Sequence, residues 1–299
     1  MGSDGADGLR PVTASLDAAA LADACNGFHA AFPRRSAKRV FHVTQAIWLL
    51  TLLGALGWAL YAHTAATLAG LHVIALALFA CTIAWRLIAA SSLEPKLQRL
   101  ASPAHWPVYT ILCPLYREAN VVPDLIAALS RLDYPTSALD IKLLIEGDDA
   151  DTLAVALSVS HAPHIEIVVI PPAHPRTKPK ALNAGLSRAR GEYVVVYDAE
   201  DRPHPQQLRA ALSAFKTGGH ELACVQAPLA IDNAGASWIA RQFAAEYAIQ
   251  FREMLPLLAR LGLPLPLGGT SNHFRADALR EIGGWDSYNV REKVRAFVA

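Results

Sequence analysis

The sequence predicts an α/β protein, a mostly parallel sheet flanked by helices, preceded by a transmembrane hairpin of two helices. Three observations carry that reading. Val40–Ser92 is a run of 53 residues with a single charge, Arg86, in a chain of 299 residues that holds 27 Lys+Arg and 26 Asp+Glu. From Trp106 onward, short runs rich in Val, Ile, Leu and Tyr alternate with helix-like stretches, as strands joined by crossover helices do in a sheet covered on both faces. The charged motifs fall just past those runs, where such sheets bind ligands.

Within the apolar block, Ala46–Ala66 supplies 21 uncharged residues and Leu68–Trp85 another 18, each enough to cross about 30 Å of hydrocarbon. Apolar residues occupy every face, without the polar stripe of a helix on a soluble core. Trp48, Trp58, Tyr61 and Trp85 stand where interfacial anchors are expected. A cleaved signal peptide is disfavoured because the first run begins as late as Ala46 and a second follows at once. Arg34, Arg35, Lys38 and Arg39 precede the first helix, Arg86, Lys96 and Arg99 follow or close the second, and Thr64–Gly70 between them is uncharged. The positive-inside rule then places both ends in the cytoplasm, on a multi-pass protein of the inner (plasma) membrane in contact with membrane lipid.

The net charge of +1 argues against nucleic acid as a partner, since no basic face is visible. Cys25, Cys81, Cys113 and Cys224 show neither a disulfide framework nor CxxC spacing, and reduced thiols suit a cytoplasmic domain. The expected organisation is an N-terminal cytoplasmic segment at 1–40, the hairpin at 41–92 and the α/β domain at 105–299. The first segment is open to disorder apart from a short helix at Leu16–Cys25, and it is assigned no function.

In the α/β domain, strands are expected at Val108–Cys113, Ile141–Ile145, Ile165–Ile170 and Tyr193–Tyr197, with helices at Val121–Leu132, Thr152–Ser160 and Lys180–Arg190. A helix near Pro205–Phe215, a strand at Leu222–Gln226 and a long helix from Ser237 to Leu255 follow, with Pro256 ending or kinking the last. Trp238, Phe243, Tyr247 and Phe251 on that helix suit packing or a membrane surface.

The loop after the first strand, Pro114–Asn120, has neither the G-x-G-x-x-G of a dinucleotide site nor a P-loop. The second, Glu146-Gly147-Asp148-Asp149-Ala150-Asp151, reads either as a solvated turn or as a hold for a ribose or base edge. The third sets Arg176, Lys178 and Lys180 at the start of a helix, against its dipole, a conflict that a bound anion would relieve. The fourth runs from the strand into Asp198-Ala199-Glu200-Asp201. Alternate carboxylates there can converge on Mg2+ or Mn2+ bridging to phosphate oxygens; the competing reading is a helix start with Asp201 near the N-cap and Pro203 in the first turn. Taken together, the loops favour a metal-diphosphate site.

The series PLYREAN, LLIEGDD, TKPKALNAGL, GEYVVVYDAEDRPHPQQL and LGGTSNHFRADALREIGGWD resembles the family 2 glycosyltransferases of GT-A fold, in particular the membrane-embedded branch akin to cellulose and hyaluronan synthases. The resemblance implies a membrane-bound inverting glycosyltransferase. It would transfer a sugar from a nucleotide donor, usually UDP-linked, to a polysaccharide or lipid-linked acceptor with Mg2+ or Mn2+. It also implies that Asp198 and Glu200 hold the metal, Glu200 standing where Asp is usual, and that Asp198 and Lys178 meet the diphosphate. Glu146, with Asp148 as its rival, would meet the nucleoside. Gly269 and Thr270 fall in the acceptor-side loop, and Trp285 and Asp286 in the segment leading to the catalytic base. At the base itself the pattern departs, because the family's T-E-D is replaced by Arg291-Glu292-Lys293. Lys293 occupies the base position, Glu292 is its carboxylate neighbour, and the base is unassigned. The tail reads as truncated, which implies the alternative of an inactive fragment that binds nucleotide sugar without transfer.

Overall fold

The computed structural model describes residues 12–39, 41–91, 100 and 102–289. It divides into two compact units, one of Met1–Ser36, Lys96–Leu229 and Gly262–Ala299, the other of Ala37–Pro95 and Ala230–Leu261. In chain order the first elements are β1 (Val12–Ser15), α1 (Ala18–Ala31), α2 (Val43–Ala62) and α3 (Thr64–Ala90). The βα alternation follows: β2 (Tyr109–Leu115), α4 (Val122–Leu129), β3 (Leu139–Glu146), α5 (Ala150–Val159), β4 (Ile165–Ile170), α6 (Lys178–Arg188), β5 (Tyr193–Val196) and α7 (Gln207–Gly218). The remainder is β6 (Cys224–Gln226), α8 (Trp238–Ala248), a π turn (Ile249–Met254), α9 (Leu255–Arg260), β7 (Asn272–Arg275) and α10 (Ala276–Glu281).

The seven strands form one sheet in the order β1-β4-β3-β2-β5-β7-β6. Neighbours are parallel except at β7, which runs against both β5 and β6. Both faces are covered, as the near-continuous apolar runs require. Ile111, Cys113, Ile141, Leu143, Ile145 and Val195 meet α4, α5 and α7 through Leu125, Ala156, Leu208 and Phe215. Leu112, Leu144, Val168, Val194 and Val196 meet α6, α1 and α10 through Leu182, Ala24 and Leu279.

Three expectations change. Residues 12–36 are structured: β1 pairs with β4, α1 runs on to Ala31 past the expected Leu16–Cys25 helix, and Ala24 packs in the core beside Leu182. The long helix does not end at Pro256. It passes through the π turn and resumes as α9, with Pro256 in its first turn. Residues 230–261 also group with α2 and α3 rather than with the sheet.

Within the second unit, α2 and α3 are long and apolar enough to cross a membrane. Trp48, Leu50, Leu52, Val73 and Phe79 stand more than half exposed along them, which sets aside the reading of two helices buried in a soluble core.

At the amino ends of β3 and β4, charge enters the fold and is neutralised on the spot. Buried Lys142 reaches Asp140 at 2.8 Å and also pairs with Glu166. Arg190 reaches Asp140 at 2.9 Å and Arg188 reaches Glu166 at 2.5 Å. Burial pushes the Asp140 carboxyl up, but hydrogen bonds from Lys142 and from the Arg190 backbone outweigh it and hold the group below its ordinary value. A carboxylate whose folded pKa is lowered adds stability above its unfolded pKa of about 4, and that stability is lost as pH falls through the lowered value. Asp140→Asn is therefore expected to cost about 3 kcal/mol at pH 7 and to flatten the fall in stability below about pH 4. Urea unfolding of the detergent-solubilised chain at pH 7 and pH 3 checks both.

Candidate functional site

Sheet register decides where the site lies. Leu115 is opposite Ile145, Glu146 opposite Ile170, and Leu112 opposite Val196, so the carboxyl ends of β2, β3, β4 and β5 share one edge. A cleft of about 330 Å³ opens there, lined from all four loops by residues that include Tyr116, Glu118, Glu146, Arg176, Lys178, Asp198 and Glu200.

The first loop turns at Arg117, whose φ of 60° costs a residue with a side chain about 1–2 kcal/mol. Donors to α5 offset that strain. The Arg117 amide donates to Asp149 at 2.5 Å and the Glu118 amide to the Thr152 hydroxyl at 3.0 Å. Asp149 also caps α5, accepting from the Thr152 amide at 3.3 Å. Burial pushes Asp149 up, and these donors together bring its carboxyl below the ordinary range.

In the acidic loop the four carboxylates have separate tasks. Glu146 accepts from Lys180 Nζ at 2.7 Å, and the same ammonium reaches the Ala173 carbonyl at 3.2 Å. Lys180 is fully buried. Asp148 pairs with Arg176 at 2.5 Å, both partly exposed. Asp149 is the cap, and Asp151 sits in the first turn of α5, where the dipole favours it. Glu146 therefore lines the cleft with its charge already neutralised from within the fold, while Asp148 stands at the solvent with an exchangeable partner.

Lys180, read from sequence as one of three cations for a bound anion, is held by the fold instead. At about 100° per residue, positions two apart lie on opposite sides of a helix. Lys180 turns to the sheet and Lys178 to the cleft, where it pairs with Asp198 and donates to the Gly269 carbonyl at 2.8 Å. Asp201 does not cap a helix, since α7 begins only at Gln207. Its carboxylate accepts instead from the Asp198 amide at 2.7 Å and from the Thr270 hydroxyl. Burial raises the Asp198 carboxyl against the pull of Lys178, with Glu200 adding to the rise; it raises Asp201 too. Glu118, another residue given no role from sequence, is raised by burial with Glu200 and Asp198 nearby.

The four acceptor-side residues fall in two different places. Gly269 and Thr270 lie beside Lys178 and Asp201. Trp285 and Asp286 do not face the cleft as ligand contacts would: Trp285 is buried edge-on against Phe274, and buried Asp286 accepts from the Ser36 hydroxyl at 3.0 Å and the Tyr288 amide at 3.2 Å. Burying the indole removes a large apolar surface from water. Glu292 and Lys293 lie outside the described residues. Among the described residues no three His, Cys, Asp or Glu side chains converge as a metal cage. Asp198 and Glu200 offer two hard oxygen donors, which fits a cation that takes its remaining ligands from phosphate and water.

Residues 107–292 match the family described as "Glycosyltransferase like family 2". The chain belongs to this family. It is 26% identical over 189 residues to the cellulose synthase catalytic subunit [UDP-forming] of Xanthomonas axonopodis pv. citri, a match covering 62% of this chain and 23% of that protein. It is 24% identical over 214 residues to a beta-monoglucosyldiacylglycerol synthase of Synechocystis sp., covering 70% of this chain and 44% of the relative. The chain thus spans less than half the length of these curated relatives. Among solved structures, a mannosyltransferase of Pyrobaculum calidifontis in complex with GDP-Man and Mn2+ superposes with a TM-score of 0.53 at 20% identity, over 72% of this chain and 61% of that one. The fold is accordingly GT-A-like.

The division of labour in the acidic loop has a measurable consequence. Lys180→Ala leaves Glu146 charged and buried and is expected to cost about 3–5 kcal/mol, whereas Asp148→Ala removes a surface pair and is expected to cost no more than about 1 kcal/mol. Comparable small losses in urea unfolding would show that the Glu146 pair is solvated.

Proposed function

We propose that the protein is a membrane-bound inverting glycosyltransferase that moves a sugar from a UDP-linked donor to a polysaccharide or lipid-linked acceptor. The cleft carries this reading. One wall presents Lys178, Asp198 and Glu200, a cation and oxygen donors suited to a metal-bound diphosphate. At the mouth, Tyr116 is 43% exposed with the Arg117 guanidinium 5.2 Å from its ring centre, and Asp148 and Arg176 lie nearby, suited to a stacked base and its polar edge. The relative named as UDP-forming supports uridine. Asp198 and Glu200 would hold Mg2+ or Mn2+, which when bound supplies positive charge to the departing diphosphate. Lys178 binds and orients the same group, and Asp201 and Thr270 fix the loop that presents Asp198.

The base that would take the acceptor proton is unassigned. Lys293 at the family position is protonated near neutral pH and cannot accept it. That residue favours a second reading, donor binding without transfer. Robust polymer synthesis from radiolabelled UDP-sugar by the 299-residue chain would exclude it.

The membrane part of the proposal rests on α2 and α3, whose exposed apolar sides suit lipid, and on the flanking cations, which by the positive-inside rule support a cytoplasmic side for both outer ends. Near the end of α3, Arg86 forms a bidentate pair with Glu246 of α8 at 2.9 and 3.0 Å. That pair sets α8 level with the last turns of α3, where its exposed Trp238, Ile239 and Phe243 would meet the headgroup boundary. Nucleic acid is not part of the proposal. A reporter active only in the periplasm, fused after Ser102, should give no signal; a strong signal would reverse the orientation.

Donor binding supplies the sharper test. UDP binding in detergent should require Mn2+ or Mg2+, and Asp198→Asn should weaken it by about 1–3 kcal/mol. Because burial raises the Asp198 and Asp201 carboxyls, protons compete with the metal at higher pH than for exposed aspartates. The Mn2+-dependent affinity should therefore fall on acidification while pH is still above about 4. Metal-independent affinity, flat with pH and unchanged in the variant, would return these carboxylates to a purely structural role.

A further inference from the structure

We propose that α1 and the residues after it as far as Ser36 act as a positioning clamp on segment 283–289, so that this segment and, through Thr177, the start of α6 at the cleft are held partly by chain lying before the family-matched region. The inference rests on the reading of Lys178 as a donor-site residue. It starts from how that segment is gripped. Gly283 and Gly284 have φ of 83° and 69°; a Cβ on the first would come within 3.0 Å of the Phe32 ring and on the second within 2.6 Å of Asn183 Oδ1. The backbone there is pressed between the end of α1 and the side of α6, where only glycine fits.

The polar contacts then form a continuous line. The Ser287 hydroxyl donates to the Ala24 carbonyl of α1 at 2.6 Å and accepts from Asn183 Nδ2 of α6 at 3.2 Å. The Ser287 carbonyl accepts from the Thr177 hydroxyl at 2.7 Å, and Thr177 caps α6 directly before Lys178. Further along, the Tyr288 hydroxyl donates to Asn26 Oδ1 at 2.6 Å and the Ser36 hydroxyl to Asp286 at 3.0 Å. Ser36, Asp286 and Ser287 are buried. Buried polar groups are costly unless hydrogen-bonded, and simple packing of a helix against a loop would need none of them. Their placement specifies the position of the segment relative to the helix that carries Lys178. α1 is thus a positioning element reaching the donor lysine through Ser287 and Thr177, and it touches no substrate itself.

The test is the double variant Asn26→Ala/Ser36→Ala, which leaves the Ala24 carbonyl and the apolar core in place. Amide hydrogen exchange across 284–289 should accelerate about tenfold, while the unfolding midpoint and exchange in β2–β5 stay near wild type and UDP·Mn2+ affinity changes by less than about twofold. Ser36→Thr and Asn26→Asp, each keeping its oxygen, should restore slow exchange, which a change in bulk packing would not predict. Unchanged exchange in the double variant overturns the clamp; so does faster exchange throughout the α/β unit with parallel loss of UDP affinity. A wild-type chain that binds no UDP with metal present would instead sink the functional reading, and the exchange measurement would still decide the clamp.

Discussion

A sheet covered on both faces has no place for unpaired charge between its layers, and the rest of this structure follows from that constraint. β3 is buried at every position from Leu139 to Glu146, yet it carries Asp140, Lys142 and Glu146. Each is held by an opposite charge in the surrounding structure: Lys142 between Asp140 and Glu166 at the amino end, Glu146 by Lys180 at the carboxyl end. Polar groups that must meet a ligand are left only the loops beyond the strands. The aligned carboxyl ends of four parallel strands gather those loops into one cleft.

The same constraint explains how far the sequence could be read. Ile165–Ile170 is a strand residue for residue as its apolar run suggests. β3 extends beyond Ile141–Ile145 at both ends, because charges that interrupt a hydrophobic run in sequence are cancelled by partners such as Glu166 and Lys180 that the run does not contain. β1 was invisible for a related reason. The tetrapeptide VTAS has little apolar signal of its own and is a strand only because β4, about 150 residues later, offers it an edge. A π turn that lets α8 continue into α9 leaves no composition signal of its own; only Pro256 beside it marks the irregularity.

At the site, the loops were legible and the facing of individual side chains was not. Asp198, Glu200 and Lys178, singled out by their motifs, line the cleft. Choosing between Glu146 and Asp148 needed the partner of each, and both partners, Lys180 and Arg176, lie some 30 residues away. Helical phase alone separates Lys178 from Lys180, and it becomes usable only once the start of α6 is known to be Lys178 with Thr177 as its cap. Trp285 and Asp286, read from sequence as part of the segment leading to the catalytic base, are turned inward, Trp285 against Phe274 and Asp286 toward Ser36, and no sequence pattern signals that facing.

The electrostatics of the cleft bear on the order of binding. Asp198, Glu200 and Glu118 line it with Lys178 and Arg176 as the cations, and Arg176 is already paired with Asp148. Burial, with a smaller contribution from neighbouring carboxylates, raises Asp198 and Glu118. A diphosphate arriving alone would add charge of the same sign to this wall, and Lys178 could serve it only by giving up Asp198. A divalent cation arriving first or together with the diphosphate removes the conflict at both ends. Held by Asp198 and Glu200, such a cation would take over the charge that Lys178 now balances on Asp198 and would leave the ammonium available to a phosphate.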